Sequence, residues 1–384
     1  MHVLIAPNAF KHALDAREAA LAIQKGMEAS RLDCTCECFP VGDGGNGTCA
    51  LIVEHLGGYM EEATVQDPLG RPVQAAFGMV RGGRTAVIEM ANASGLHLLQ
   101  VDELNPLKAH SFGTGQLIRA ALDRGVQQII LGMGGSATVD GGTGILAALG
   151  VRFLDAAGMS ISDLPAGLSA LHALDTTQLD SRLAGCSLTV LCDVVNPLLG
   201  DEGAAAVFGP QKGATQEMVG RLEANLSVWA DVIRATTGRD VNRLPSGGVA
   251  GGASAGLAGV LNATLANGID YFLQITGFDE RLARSQLVIT GEGALDQQTL
   301  HGKGPYGVAK RAKQQGIPVV GLAGKVPDEP VAELNQYFDV LLPIGNAPAT
   351  LAEALAQTGS HLTRTATQVG NLIAAAKTIG KPFL

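Results

Sequence analysis

Residues 2–31, HVLIAPNAFKHALDAREAALAIQKGMEASR, decide the fold class. The run VLIA at 3–6 is short and wholly apolar, the pattern of a strand buried on both faces in a parallel sheet. Pro7 follows it at once. Asp15 and Glu18 stand three apart, as a reciprocal helix N-cap requires, with Asp in place of Ser or Thr. Ala16, Ala20, Ile23 and Met27 then recur on one helical face. Strand, loop and helix in that order predict an α/β unit.

The rhythm extends outward. CTCECFPV (34–41) reads as a second strand, GDGGNGT (42–48) as its loop and CALIVEHLG (49–57) as a helix. Near 285 it returns: SQLVITGEG (285–293), helical GPYGVAKRAKQQG (304–316), strands in IPVVGLAG (317–324) and FDVLLPIG (338–345), and a helical tail. Between 61 and 91 the turn signals come too close together for long helices, which predicts hairpins. Beyond them lie a helix in GTGQLIRAALDRG (113–125), strands in VQQIILG (126–132) and LTVLC (188–192), and a long helix over 216–238. Buried strands at both ends around a different middle predict one parallel-sheet domain, 1–60 with 285–384, interrupted by an inserted α/β domain, 61–284.

Composition narrows the function. The chain has 384 residues, 46% of them hydrophobic, so a large core is available and disorder is excluded. Aromatics are 4%, which leaves Ala, Val, Leu and Ile to build that core. Net charge is −9 and no long basic run occurs, which argues against nucleic acid. No apolar run reaches membrane-spanning length, and the amino terminus lacks the basic region of a secretory signal. The expected location is the cytoplasm, with the six cysteines reduced. Cys34, Cys36 and Cys38 alternate onto one strand face; we read them as small core side chains rather than metal ligands.

Glycine supplies the chemical signal. It crowds the loops at 42–48, 132–144, 247–252 and 291–293. Residues 131–144 read LGMGGSATVDGGTG, and the motif D-G-G-x-G occurs there and at 43–47. A tight turn needs one or two glycines; more allow backbone N–H groups to converge on an anion. Carboxylates accompany these loops (Asp43, Asp140, Asp193, Glu292, Asp296), as do lysines (Lys11, Lys212, Lys303). Phosphoryl transfer uses that combination: oxygens for Mg2+, a group that orients the acceptor hydroxyl, and cations for developing charge. The P-loop pattern is absent, and GTGILA (142–147) lacks the strand context of a dinucleotide fingerprint. Singly, Asp43 or Asp140 reads equally as a helix cap.

Ten motifs together resemble the bacterial glycerate kinases that include glycerate 2-kinase. They include APNAFKHALDA, PVGDGGNGT, DPLGRPV, AVIEMANASGL, GMGGSATVDGGTGILAALG, CDVVNPLLG, VFGPQKGA and LVITGEGALDQQTLHGKGPYGVAK, in family order over nearly the whole chain. The resemblance implies a flavodoxin-like domain carrying an inserted α/β domain, an active site in the cleft between them, ATP and Mg2+ as cofactors, and D-glycerate as small-molecule substrate. Phosphorylation at position 2 is favoured, and a homo-oligomer is compatible. On it we place Asp193 and Lys11 in catalysis, and Gly134, Gly135, Ser136, Thr138, Asp140, Gly141 and Lys303 at the nucleotide. Asn8, Lys11, Ser94 and Lys212 are placed at the substrate, and Asp43, Glu292 and Asp296 at the metal. Three motifs depart from the family pattern: Asn8-Ala9 stand for Asp-Ser, Asn46 for Glu, and Val139 for Asn. These departures leave open a kinase for another small hydroxy acid, or a non-catalytic ligand-binding relative.

Overall fold

The computed structural model describes residues 1–379. The chain divides into two compact units, Met1–Asp43 with the segment from Ile269 onward, and Gly44–Gly268. The boundaries expected near 60 and 285 therefore fall earlier, because of the faces the flanking helices cover. Helix Thr48–His55 buries Leu51, Ile52 and Val53 within the second unit. There Val53 occupies the space a Cβ at Gly78 would need, and Cys49 Sγ donates to Val87 O. At the other boundary Phe278 stands edge-on to Phe39, ring centroids 5.3 Å apart, and Arg281 pairs with Glu37 at 2.6 Å. Those contacts hold residues 269–284 to the first unit. Residues 380–384 of the expected 285–384 segment lie outside the described residues.

The first unit is built on five parallel strands: His2–Ile5, Thr35–Cys38, Leu287–Ala294, Val319–Lys325 and Val340–Pro343. Numbered in that order along the chain, they lie side by side as 2-1-3-4-5. That is the flavodoxin-like order, whose ligand crevice opens at the carboxyl ends of strands 1 and 3, where the winding reverses. Both halves of the predicted cap on helix Ala16–Glu28 form, and Ala16, Ala20, Ile23 and Met27 are all buried. Cys36 and Cys38 are half-buried; burial pushes their thiols up to about 12 and about 11, and Cys38 donates to Gln24. They pack rather than react.

Helix Ala16–Glu28 lies against helix Thr358–Ile379 so closely that Thr363 Oγ1 reaches Ala22 O and Thr367 Oγ1 reaches Gly26 O, each at 3.0 Å. A Cβ at Gly26 would collide with Thr363 O.

The second unit has a six-stranded sheet ordered Thr264–Asn267, Ser187–Cys192, Gln128–Gly132, Thr85–Glu89, Pro72–Val80, Tyr59–Gln66. The first four run parallel. The last two are antiparallel, the hairpins expected from the turn spacing. Helix Gln216–Thr237 buries Trp229, whose Nε1–H donates to Gly141 O at 3.0 Å. Among the described residues no helix is long and apolar enough to cross a membrane.

Gly26→Leu forces the two helices of the first unit apart. The expected cost is about 3 kcal/mol of unfolding free energy, the upper range for overpacking. Chemical denaturation measures it, and an unchanged midpoint would show that the helix contact is dispensable.

Candidate functional site

In the first unit, four segments meet at the carboxyl end of the sheet. Asn8 follows strand 1, Asp43 follows strand 2, Glu292 lies near the end of strand 3, and Lys303 caps helix Gly304–Gln314. Asn8 Nδ2 donates to Asp43 Oδ2 at 2.8 Å, while Asn8 Oδ1 accepts Ala9 N–H. The Gly304 N–H points at the same Asp43 oxygen, at 3.4 Å, so this carboxylate faces the positive end of a helix. Glu292 is 8% exposed. Burial pushes its carboxyl up to about 7 with help from Asp43, against the pull of Lys303, the Thr299 hydroxyl and Lys11. Thr299 Oγ1 donates to Glu292 at 3.3 Å and accepts the Asp296 N–H at 3.1 Å, which ties Asp296 into the same turn. Lys11 is exposed at the rim. The cluster joins carboxylates, an amide, a hydroxyl and two lysines beside the reversal of strand order.

In the second unit the glycine loops behave differently from the anion cradle expected of them. Asp140 is fully buried. Its oxygens accept Ser111 N–H, Ser111 Oγ–H, Gly142 N–H and Gly144 N–H, at 2.6 to 3.2 Å. The carboxylate thus fills the nest its own loop makes. The Gly134 N–H goes to Gly44 O, Ala137 N–H to Ser94 O and Gly141 N–H to Gly251 O. The glycines serve close approach of backbone to backbone: a Cβ on Gly134 would lie 2.6 Å from Gly45 Cα, and one on Gly251 would collide with Thr138 O. The two glycine-rich loops that share an echo in sequence touch through Gly134, which meets Gly44 and Gly45.

Ser94, Lys212 and Val139 also turn inward. Ser94 is fully buried, its hydroxyl 2.7 Å from that of Thr114. Lys212 is 3% exposed and donates to Ser136 Oγ at 2.9 Å and Thr138 O at 2.7 Å. Burial holds its ammonium down to about 7, although Asp140 pulls the other way. Both residues were expected at the substrate; here they fasten the loop. Val139, read as a departure beside a ligand, belongs to the apolar core. Asp193 directly follows strand Ser187–Cys192, half-buried at the carboxyl edge of the parallel strands.

Sequence reasoning missed Glu89, Ser111 and Thr299. Glu89 ends a central strand and accepts Gly47 and Cys49 N–H at 3.2 and 2.6 Å, occupying the helix N-terminus that the glycine-rich 42–48 loop offered to a ligand. Burial raises its pKa, against those two N–H groups. An acidic residue closing the apolar run AVI was the available signal.

Comparison with known proteins agrees with the motif reading. The model of the glycerate kinase family matches residues 3–374. A glycerate kinase of Bacillus subtilis is 45% identical over 99% of this chain and 99% of its own length. A glycerate 2-kinase of Escherichia coli is 42% identical over 97% of this chain and 98% of its own. A crystal structure from Salmonella typhimurium described as "putative glycerate kinase 2" superposes with a TM-score of 0.84 at 42% identity, covering 98% of this chain and 99% of that one.

Lys212 gives the fold a pH dependence. Its pKa is about 7 when folded and about 10.4 in an unfolded chain. Between those values the unfolded state binds the extra proton, so this residue's contribution to stability rises with pH across the window. Lys212→Met removes the slope. Unfolding free energies of the two proteins, compared from pH 7 upward, are expected to shift steadily in favour of wild type; a constant difference would contradict the assignment.

Proposed function

The chain belongs to the glycerate kinase family, and from that premise we propose that it transfers the γ-phosphoryl group of ATP, with Mg2+, to D-glycerate, with the 2-hydroxyl as the preferred acceptor. The observation that carries this reading is the convergence of Asn8, Asp43, Glu292, Thr299 and Lys303 at the carboxyl end of strand 3, where sheets of this order take their ligands.

Phosphoryl transfer asks little covalent chemistry of a protein; it asks for positioned charge. Asp43 and Glu292 offer hard oxygen ligands, close enough together for Asp43 to raise the cost of ionising Glu292. Among the described residues no three His, Cys, Asp or Glu side chains gather into a protein-only cage. Mg2+ commonly takes one or two carboxylates and completes its shell with phosphate oxygens and water. Asp43 and Glu292 fit that demand, and Asp296 adds a carboxylate on the following turn. Bound there, Mg2+ would neutralise charge on the phosphoryl oxygens.

The other roles fall to this chain's side chains. Lys11 and Lys303 hold anionic oxygens, of the glycerate carboxylate and of the transferred group respectively. Asn8 orients Asp43 through its amide. Asp193 orients and deprotonates the acceptor hydroxyl. Ser136 and Thr138 shape the loop that faces the nucleotide, with Lys212 fixing them from behind.

Incubation with ATP, Mg2+ and D-glycerate followed by phosphorus NMR tests donor, acceptor and position together. The expected product is 2-phosphoglycerate; no phosphorylated glycerate, or a faster reaction with another hydroxy acid, would overturn the proposal. Asp43→Asn and Asp193→Asn each keep side-chain shape and remove charge. Each is expected to lower kcat by about 10²-fold or more, the usual scale for losing one transition-state contact. Wild-type turnover in Asp193→Asn would sink the base assignment.

A further inference from the structure

The glycine-rich loop at 247–252, with Ser246 before it, has a backbone that is costly to form. Ser246 and Ala250 stand at φ 63° and 52°, in the left-handed region that side chains avoid, and Gly251 and Gly252 follow at 66° and 87°. Such strain persists only where the surroundings over-determine it. Around Ser246 they do. Its hydroxyl donates to Val194 O at 2.8 Å, and its N–H donates to Val195 O at 3.1 Å. Its own carbonyl accepts the Ser254 hydroxyl at 2.5 Å and the Val249 N–H at 3.2 Å. Two residues on, the Gly248 N–H donates to Asn196 O at 2.9 Å, and a Cβ there would collide with Pro197 O. One short stretch thus takes the consecutive carbonyls of Val194, Val195 and Asn196.

Those carbonyls follow directly on Asp193. Sheet pairing ends at Cys192, so the ladder no longer fixes the chain there. Side-chain burial does little in its place: Val195 is 61% exposed. The bonds from Ser246 and Gly248 hold the segment instead. The clamp is itself braced. Gly251 O accepts the Gly141 N–H at 3.0 Å, and a Cβ on Gly252 would lie 3.3 Å from Gly141 Cα, so the left-handed turn rests on the loop that Asp140 fixes. Glycine at 246 would relieve the strain but could not supply the hydroxyl. Serine accepts the strain and gains a second bond to the segment after Asp193.

We propose that Ser246 is a positioning residue for phosphoryl transfer: by gripping the carbonyls of Val194 and Val195 it sets the direction of the Asp193 carboxylate. The proposal rests on the reading of Asp193 as the base, and adds what aims it. A general base must lie within hydrogen-bond reach of the proton it takes. A backbone error of about 1 Å beneath it therefore slows the chemical step while leaving the nucleotide's binding intact.

The test is steady-state kinetics of the full chain carrying Ser246→Ala, Ser246→Gly, Asp193→Asn, or Ser246→Ala and Asp193→Asn together. Ser246→Ala is expected to lower kcat by roughly three- to tenfold, the worth of one hydrogen bond, with KM for ATP unchanged. Once Asp193 has lost its charge there is nothing left to aim, so the double variant should turn over no more slowly than Asp193→Asn alone. Ser246→Gly loses the hydroxyl and sheds the strain. It should melt at a higher temperature than Ser246→Ala and show the same loss of kcat. A kcat that recovers with the melting temperature would make the hydroxyl a brace of the fold and overturn the proposal, as would wild-type kcat in Ser246→Ala. Losses that multiply in the double variant would overturn this inference and leave the base reading standing. Wild-type turnover in Asp193→Asn would overturn both.

Discussion

The carboxylate of Asp140 is the constraint on which the second unit's loops depend. A charge taken out of water costs several kcal/mol unless hydrogen bonds replace its solvation. Here Ser111 supplies two and the Gly142 and Gly144 amides supply two more. Those four bonds hold residues 140–144 in one shape. The same turn receives the Trp229 indole at Gly141 O and delivers its own N–H to Gly251. The buried Lys212 lies near enough for Asp140 to favour its charged form. The loop, the long helix and the backbone at Gly251 are therefore tied together around one anion with no exposed surface.

Much of the fold was legible because its signals are local. The cap made by Asp15 and Glu18 and the apolar stripe from Ala16 to Met27 are statements about neighbouring residues, and they hold in the structure. So do the hairpins of 59–89, which follow from turn spacing. The unit boundary was not legible, because Leu51, Ile52 and Val53 announce an apolar face but not the sheet that covers it. The glycine loops were half legible. Glycine at 134 or 251 declares that a Cβ cannot be accommodated; it does not declare whether phosphate or backbone stands in the way. In this chain it is backbone. Ser94 and Lys212 misled for a related reason, since a hydroxyl or an amine in a loop reads the same whether it faces a ligand or braces the loop. The first unit's cluster was the reverse case. Asn8, Asp43, Glu292 and Lys303 are scattered over nearly three hundred residues of sequence, yet each follows or caps an element that the pattern identified.

Asn8 illustrates how little substitution a charged site needs to change character. Its amide nitrogen sits 2.8 Å from an Asp43 oxygen. A carboxylate in its place would set two like charges at hydrogen-bond distance, stable only with a shared proton or a bound cation. The amide settles the pair without either, and leaves Asp43 oriented. Val139 makes the opposite point. Buried in an apolar core, it needs no partner, whereas an amide there would have to bring one.

The discontinuity of the first unit has a consequence for how the chain comes into being. Strand His2–Ile5 finds one of its two neighbours at Leu287–Ile289, 284 residues further on, and helix Ala16–Glu28 meets the helix Thr358–Ile379 that packs on it only at the far end of the chain. During synthesis these first elements emerge early and wait. The second unit, by contrast, is one continuous stretch, complete once residue 268 has left the ribosome. Chains fold domain by domain as they appear, and pairings distant in sequence form late. The middle of this protein is therefore the part that matures first, and the strand that opens the sequence, although Thr35–Cys38 is at hand early, is among the last to gain its second neighbour.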